Sequence, residues 1–295
     1  MLFRSPRLIE MQGFPSLFAY QHLLALSFRK HFEIPFGLRH VFTASDEDYI
    51  QRLSKLLLGG HEPAEVVMLE IEPERQQTYI DFIDTSRLTG IAVVCIREII
   101  REGNQLFYMR NGVRQRIHRI YNRVIFDELL RRTDLQLNFQ MTDDVDVEWV
   151  CHPDWFFRIS KFMLPFLHSE FVPYTFFANA INQLPVDLEQ YVLKPLYSFS
   201  GQGVKLQVTK ADLEALPDPE NYILQRKVEY APVIATPDGF SKAEIRIMYL
   251  WDAPDSKPVP AITLARLSKG EMVGVKYNRN MDWVDRKSTR LNSSH

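Results

Sequence analysis

Apolar residues recur along the chain with two different periods, and these periods predict a mixture of helices and strands. In segments 16–32 and 46–58 an apolar residue returns every three or four positions, which predicts two helices with one buried face each. Ser45 or Asp46 is the expected N-cap of the second helix, and Gly59 is expected to end it.

Shorter apolar runs predict strands. The segment 7–12 alternates like the end of a strand, whereas 65–71 and 91–96 are almost continuously apolar, as buried parallel strands are. A helical pattern over 73–89 joins the last two, so the two runs and the helix between them predict a parallel βαβ unit in a Rossmann-like sheet. The unit contains no GxGxxG motif, so we do not interpret it as a dinucleotide site. The dipeptide Asn111-Gly112 predicts a hairpin turn.

The second half of the chain has a different pattern. An aromatic-rich segment at 152–167 predicts a helix that contains Lys161. Alternating segments then predict an antiparallel set of strands, at 222–230, 242–251, 259–267 and 270–277. The two halves together predict an α/β and α+β fold.

Composition and charge narrow the class of protein. The chain has 295 residues, a hydrophobic content of 46% and a net charge of -2. This length suits about two domains of roughly 150 residues. The net charge provides no general basic field for nucleic acid or an anionic membrane, and no apolar run is long enough to span a bilayer. Because the N-terminus also lacks a long apolar leader, we expect a cytoplasmic protein.

The last eleven residues, DRKSTRLNSSH at 285–295, differ abruptly from the aromatic-rich sequence before them. The string corresponds to a common sequencing-library adaptor translated in frame. We therefore interpret it as a tail without fold or function, and the chain as an internal fragment of a longer gene product.

Candidate chemistry begins at YVLKPLYSFSGQGVKL, residues 191–206. Lys194 ends a predicted strand, where an ammonium group can be held in place. Donors and flexible backbone follow it: Ser198, Ser200, Gly201, Gln202 and Gly203. Such a loop can close over phosphate groups, because glycine allows a close approach of the backbone. An ordinary turn between two strands is the alternative, and the commoner use of these residues.

Three further cations lie in predicted elements: Lys161, Arg246 and Arg266. The two arginines belong to alternating strands, where most charged residues face solvent. Between the lysines and the arginines lies LQRKVEY, a strand edge where Gln225, Lys227 and Val228 can read an adenine through backbone groups. Together, in this order, the residues are consistent with a nucleotide site.

These motifs resemble those of the ATP-grasp superfamily, in particular the permuted branch that includes glutathionylspermidine synthetase and related uncharacterised carboxylate–amine ligases. The family's SNKAILP-like stretch is similar to ISKFMLP, which contains Lys161. Its KPL.S..G stretch is similar to KPLYSFSGQG, which starts at Lys194, and its YIYQ hinge to YILQ, which ends at Gln225. The resemblance covers most of residues 7–284.

The resemblance also implies a magnesium site. The permuted branch has an E-x-N-x-D-T-P-T segment before its substrate domain, and PRLIEMQGFPSL occupies that place here. Glu10 would be the carboxylate ligand, and Gln12 replaces the usual Asn with a side chain one methylene longer. The family's preceding Asp ligand has no counterpart. In the unpermuted order of the superfamily, Glu244 and Asn278 would be the metal ligands instead.

The implied architecture is an ATP-grasp fold with an inserted Rossmann-like substrate domain. Residues 1–60 would form the N-terminal part of the ATP-grasp core, 61–150 the substrate domain and 151–284 the nucleotide-binding subdomains.

The implied activity joins a small-molecule carboxylate to an amine, with ATP and Mg²⁺, through an acyl phosphate. Lys161 and Lys194 would hold the α- and β-phosphates, residues 201–203 would cover the γ-phosphate, and Arg246 or Arg266 would stabilise the transferred group. A non-catalytic nucleotide-binding homologue and a small-molecule kinase are the alternatives. A fragment of this kind need not be active on its own.

Overall fold

The computed structural model of the protein describes residues 5–180, 185–198, 201–253 and 256–273, together with 278, 281, 282 and 284. The chain divides into two compact units, each assembled from segments that are distant in sequence. The first unit comprises Met1–Phe14, Asp154–Glu244 and Arg266–Arg290. The second unit comprises Pro15–Pro153, Ile245–Ala265 and Leu291–His295.

The second unit contains four helices among the described residues: α1 (Phe18–His31), α2 (Asp46–Leu58), α3 (Tyr79–Thr89) and α4 (Phe126–Arg131). Its strands before residue 154 are β1 (Val66–Glu70), β2 (Ala92–Cys95), β3 (Ile100–Glu102), β4 (Gln105–Arg110), β5 (Val113–Ile117), β6 (Arg119–Asn122) and β7 (Glu148–Val150). The predicted caps of α2 are confirmed, because the Ser45 side chain accepts a hydrogen bond from Asp48 N and Gly59 has a φ of 60°. The predicted helix over 73–89 is shorter, since Pro73–Arg75 forms a separate 3-10 turn.

A parallel sheet with the order β2-β1-β6-β7 lies at the centre of this unit. Helix α3 connects β1 to β2, which confirms the predicted βαβ unit. Alternate residues of β1 face two cores, so Val66 and Met68 pack with α2 and α3 residues, and Val67 and Leu69 with the other face. Burial on both faces explains why these strands are apolar without interruption.

A three-stranded antiparallel sheet, β3-β4-β5, covers one of those faces. The turn between β4 and β5 has positive φ at both central residues, 51° at Asn111 and 77° at Gly112. This is the backbone that matches the twist of a two-residue hairpin, so the prediction from Asn-Gly is confirmed.

A buried carboxylate orients the start of α1. The backbone N–H groups of Leu17 and Tyr20 donate to Asp81 of α3, at 3.0 and 2.9 Å, and Asp81 is 1% exposed. The Arg123 guanidinium attracts this carboxylate and donates to the Pro15 carbonyl at 2.6 Å. Asp81 therefore replaces the side-chain cap that Leu17 cannot provide.

The first unit has two short helices among its described residues, α5 (Trp155–Arg158) and α6 (Lys210–Glu214). Its strands are β8 (Thr175–Phe177), β9 (Tyr191–Pro195), β10 (Tyr222–Arg226) and β11 (Ile234–Thr236). Two longer strands, β12 (Gly239–Leu250) and β13 (Val259–Ser268), are divided between the units. The sheets have the orders β8-β10-β9, with antiparallel pairing, and β11-β12-β13.

Two predicted elements of the first unit are wrong, and a third forms no strand in its described part. The helix over 152–167 is interrupted at Ser160, which is extended, and a 3-10 helix with Pro165 inside it follows at Lys161–Phe166. Proline lacks the N–H that an α-helix needs, so the aromatic period alone could not extend α5. The segment 7–12 forms no strand, and neither does 270–273, whereas 274–277 lie outside the described residues.

The coarse fold class, mixed α/β and α+β, is confirmed. Among the described residues, no helix combines the length and the apolar character needed to cross a bilayer.

Candidate functional site

A cleft in the first unit brings together the N-terminal coil, the start of the 3-10 helix and the loop after β9. Its lining includes Glu10, Gln12, Phe156, Lys161, Tyr197 and Ser198. The empty space is about 290 Å³ with its open mouth included.

Lys161 stands at the cleft as the first residue of the 3-10 helix. The helix begins there because the Ser160 side chain caps it, accepting a hydrogen bond from Phe162 N. The Lys161 ammonium, in a residue only 5% exposed, donates to the Ser198 carbonyl at 2.8 Å and lies 3.7 Å from Glu10 Oε1. Burial lowers the pKa of Lys161, and the Glu10 carboxylate opposes this shift.

Lys194 is the fourth residue of β9 and pairs with Ile223 of β10. Its ammonium donates to the Ile9 carbonyl at 3.1 Å and to Gln225 Oε1 at 2.5 Å. Burial lowers the pKa of Lys194 to about 8. Glu10 and Glu244 oppose this shift and Lys161 adds to it, so these charges act on one another across a single cluster.

Gln225 is the buried residue that holds Lys194. It is 2% exposed, and within the described part of the chain its side-chain nitrogen Nε2 has no hydrogen-bond partner. A buried donor in this state costs about 1–3 kcal/mol relative to a paired one. The position is therefore suited to an acceptor supplied by a ligand or a water molecule.

Glu10 and Gln12 contact each other beside Lys161. The Gln12 amide nitrogen donates to Glu10 Oε1 at 3.2 Å, and the Glu10 side chain is 35% exposed. The same carboxylate faces Lys161. In this orientation Gln12 presents its nitrogen to the carboxylate, and a half-turn of the amide would present its oxygen.

Glu244 and Arg266 form a buried ion pair beside the lysines. Arg266 Nε donates to Glu244 Oε1 at 3.1 Å, a terminal guanidinium nitrogen donates to the same oxygen, and both side chains are at most 15% exposed. Burial raises the pKa of the neighbouring Tyr230, with Glu244 and Glu10 adding to the shift and Arg266 opposing it. Arg246 follows two residues after Glu244 on β12 and is assigned to the second unit.

Asn278 is fixed in a turn. Its side-chain oxygen accepts from Lys269 N at 3.0 Å and Gly270 N at 2.9 Å, and its amide nitrogen donates to Ser268 Oγ at 3.1 Å. Both lone pairs of the oxygen are engaged, which disfavours the unpermuted metal ligand set of Glu244 and Asn278.

The loop after β9 is closed at its base as a hairpin. Leu193 and Lys205 exchange backbone hydrogen bonds of 3.0 and 2.9 Å, and Gly201 and Gly203 have φ of 71° and 72°. A Cβ on Gly203 would lie 2.7 Å from Pro195 Cγ, so this turn needs glycine for space as well as for φ. Gln202 is exposed, and Ser200 lies outside the described residues.

At the strand edge predicted to contact adenine, Lys227 and Val228 differ in their hydrogen bonding. Lys227 N donates to the Gln190 carbonyl at 2.8 Å, and the Lys227 ammonium donates to the Glu189 carbonyl, so this lysine is tied to a neighbouring segment. Within the described part of the chain, the backbone of Val228 makes no hydrogen bond. Val228 is thus the position on this edge whose N–H and C=O are available.

The sequence did not single out Tyr230 or the carbonyls of Ile9 and Ser198, although all three belong to the cluster. Tyr230 stands two residues after Val228, with no local pattern that marks it. A carbonyl carries no side-chain signal, so only the fold identifies those contacts.

Comparison with known proteins adds no family to this picture. No protein-family model matches the chain, and no curated protein sequence matches it. The motifs and the charged cluster of the first unit are therefore the basis on which function is argued.

Proposed function

We propose that the chain is an ATP-grasp-type protein that uses Mg-ATP to join a carboxylate to an amine. The observation that carries the proposal is the convergence of Glu10, Lys161 and Lys194 in one cluster of the first unit. These residues come from three segments far apart in sequence, and each belongs to a different motif.

The two lysines are suited to a polyphosphate. Both ammonium groups are largely buried. Their attraction to an anion is stronger in this low-dielectric environment than it would be at the protein surface. Lys194 is held by Gln225 and Ile9, and Lys161 by Ser198, so little ordering would be needed when phosphates bind. Depressed pKa values of both lysines fit a site that awaits negative charge.

The donors near Glu10 fit a magnesium ion. Mg²⁺ is usually held by one or two carboxylates together with substrate phosphates, and Glu10 supplies one half-exposed carboxylate at the cleft. Gln12 would add an amide oxygen after a half-turn of its side chain. The ion, when bound, would neutralise charge on the phosphate oxygens.

The chemistry would proceed in two displacements. A substrate carboxylate oxygen attacks the γ-phosphorus and the bond to the bridging oxygen breaks, which gives an acyl phosphate and ADP. The amine nitrogen then attacks the acyl carbon, inorganic phosphate leaves with the bonding pair, and the nitrogen loses a proton. Lys161 and Lys194 would hold the α- and β-phosphates, and Arg266 or Arg246 would stabilise the transferred phosphoryl group.

The loop after β9 would exclude water from the acyl phosphate. It already carries the Ser198 carbonyl onto Lys161, so its position is linked to a residue that would contact phosphate.

One contact favours a second candidate, nucleotide binding without turnover. The Gln12 amide donates to Glu10 and Lys161 faces the same carboxylate, so Glu10 is engaged by side chains where a ligase would need it for the metal.

A hydroxylamine trap tests the proposal. The protein is incubated with Mg-ATP, hydroxylamine and a panel of small carboxylic acids, and ATP-dependent hydroxamate is measured with a variant lacking Glu10 (Glu10→Ala) as control. Hydroxamate that requires Glu10 supports the ligase. A stable phosphorylated product without hydroxamate would identify a kinase, and nucleotide binding without turnover would favour the second candidate.

We also expect ATP affinity to depend on pH through Lys194. Its pKa of about 8 means that the ammonium is charged below this pH and neutral above it. Phosphate favours the charged form, so the dissociation constant should rise by up to about tenfold per unit above pH 8, and binding near pH 8 should take up protons. Calorimetry in two buffers of different ionisation enthalpy measures both quantities.

Lys194→Arg is the matched variant for this dependence, because arginine stays charged throughout the range. If Lys194 is the titrating group, the dissociation constant of this variant for ATP should not change between about pH 7 and about pH 9.5. An equally flat profile for the unmodified protein would contradict the assignment.

A further inference from the structure

Three side chains of the second unit meet away from the cluster described above. His22 lies on α1, His40 lies in the segment between α1 and α2, and Asp46 is the first residue of α2. One nitrogen of each imidazole and one oxygen of the carboxylate all lie within 4.8 Å of one another. In the described part of the chain, no other group of three such side chains is this close.

The spacing of these atoms is close to that of a metal's ligand shell. A tetrahedral Zn²⁺ with bonds of about 2.0–2.1 Å holds its ligand atoms roughly 3.3–3.4 Å apart. His22 Nδ1 and His40 Nε2 are 3.4 Å apart, and His40 Nε2 and Asp46 Oδ1 are 3.8 Å apart. The distance between the two imidazole nitrogens already matches this spacing. A rotation of the Asp46 side chain, which is 32% exposed, would shorten the distance from its oxygen to His40.

Burial and charge around the group also suit a cation. His22 is 4% exposed and the His40 side chain 12% exposed, so the site is mostly enclosed and opens to water at Asp46. The carboxylates of Glu47 and Asp84 interact with His22 and add negative potential there. The positive charge of Arg29 acts on His40 and opposes this potential in part.

The geometry points to a Zn²⁺ site formed by His22 Nδ1, His40 Nε2 and Asp46 Oδ1, with its fourth position open to water. Two imidazoles and one carboxylate form a donor set that zinc binds in proteins. The ion would connect the middle of α1 to the first turn of α2, and its charge would be balanced in part by the carboxylate ligand and its acidic neighbours.

A second pair of histidines in the same unit provides the matched control. The rings of His61 and His118 stack with centroids 5.6 Å apart, as those of His22 and His40 do. Their carboxylate neighbours, Glu65 and Glu148, lie 3.4–4.0 Å from the rings, and Glu148 also pairs with Arg119. Removing an imidazole from this pair changes the histidine count without touching the proposed ligands.

The test is titration of the metal-free protein with Zn²⁺ and with Co²⁺, whose visible absorption reports coordination by four ligands. The variants are His40→Gln, Asp46→Asn and the control His118→Gln, each checked for folding by circular dichroism. We expect one ion per chain, at least about tenfold weaker binding in the first two variants, and unchanged binding in the control. We also expect Zn²⁺ to raise the unfolding temperature of the unmodified protein and of the control.

Two results would overturn the site. One is an unmodified protein that binds neither ion with a dissociation constant below about 100 μM. The other is binding that His118→Gln weakens as much as Asp46→Asn does. Asp46→Asn keeps the size of a half-exposed side chain, so loss of folding is not expected to obscure the result, and the thermal shift is an independent measurement if His40→Gln is unstable.

Discussion

Replacing Lys194 by alanine is expected to abolish measurable ATP binding. The ammonium is the group that the proposal assigns to a phosphate, and hydrogen bonds to charged partners contribute about 1.5–3 kcal/mol each. Loss of two such bonds corresponds to a loss of affinity of about 100-fold or more. Calorimetry with ATP or a non-hydrolysable analogue measures the change at pH 7, where Lys194 is charged.

Lys205 provides the control in the same hairpin. It is exposed and its ammonium binds Asp212 at 2.5 Å, so Lys205→Ala should leave ATP affinity unchanged. Lys194→Met keeps the apolar stem and separates loss of charge from loss of packing. ATP binding of normal strength in a folded Lys194→Met variant would remove Lys194 from the site.

Replacing Asp81 by alanine is expected to have the largest effect on stability. Its carboxylate is buried, accepts from Leu17 N and Tyr20 N and interacts with Arg123. Removing one partner of a buried charge pair typically lowers the free energy of unfolding by about 3–5 kcal/mol. Urea denaturation followed by circular dichroism measures this difference.

The matched control is Asp127→Ala on α4. Asp127 also pairs with an arginine, Arg131 at 3.3 Å, but the two side chains are 45% and 58% exposed. An exposed pair contributes at most about 1 kcal/mol. Equal losses of stability in the two variants would show that burial of Asp81 does not have the effect inferred from its contacts.

Burial raises the pKa of Asp81, even though Arg123 and the α1 backbone lower it. The charged form is thus less favourable in the fold than in the unfolded chain, so the stability that depends on this ionisation increases as the pH falls from the raised folded pKa to the ordinary value of the unfolded chain. At neutral pH the hydrogen bonds from Leu17 N and Tyr20 N still hold the start of α1, and these are the contacts that alanine removes.

Local patterns were sufficient where neighbours in sequence determine the structure. The βαβ unit follows from two apolar runs on either side of a helical one, and the hairpin from Asn111-Gly112. The caps of α2 follow from Ser45 and Gly59. In each case the residues that specify the element lie within it or next to it.

The predictions failed where distant contacts determine the backbone. The aromatic residues of 152–167 suggested one helix, but Ser160 is extended and Gly13 N binds the Ile159 carbonyl. The apolar residues of 7–12 pack into a small core with Leu164 and Ile223 without joining a sheet. Alternation in sequence could not distinguish a strand from a coil held in this way.

The candidate site could be predicted in part. Motif resemblance selected Glu10, Lys161, Lys194 and Gln225, and the structure brings these four together. Arg246 and Arg266 were selected because both stand in alternating strands, and the role of Arg246 stays a prediction. His22, His40 and Asp46 were not selected, since they come from three elements and show no metal-like spacing in sequence.

The order of synthesis gives the discontinuous first unit a consequence for folding. The hydrogen bond from Lys194 to Ile9 spans 185 residues, whereas the contacts between β1 and β2 need only the short α3 connection. A ribosome adds about 5–20 residues per second, so the parallel sheet has its partners many seconds before Ile9 meets Lys194. During that interval the coil around Ile9 has none of its final contacts with the later segments.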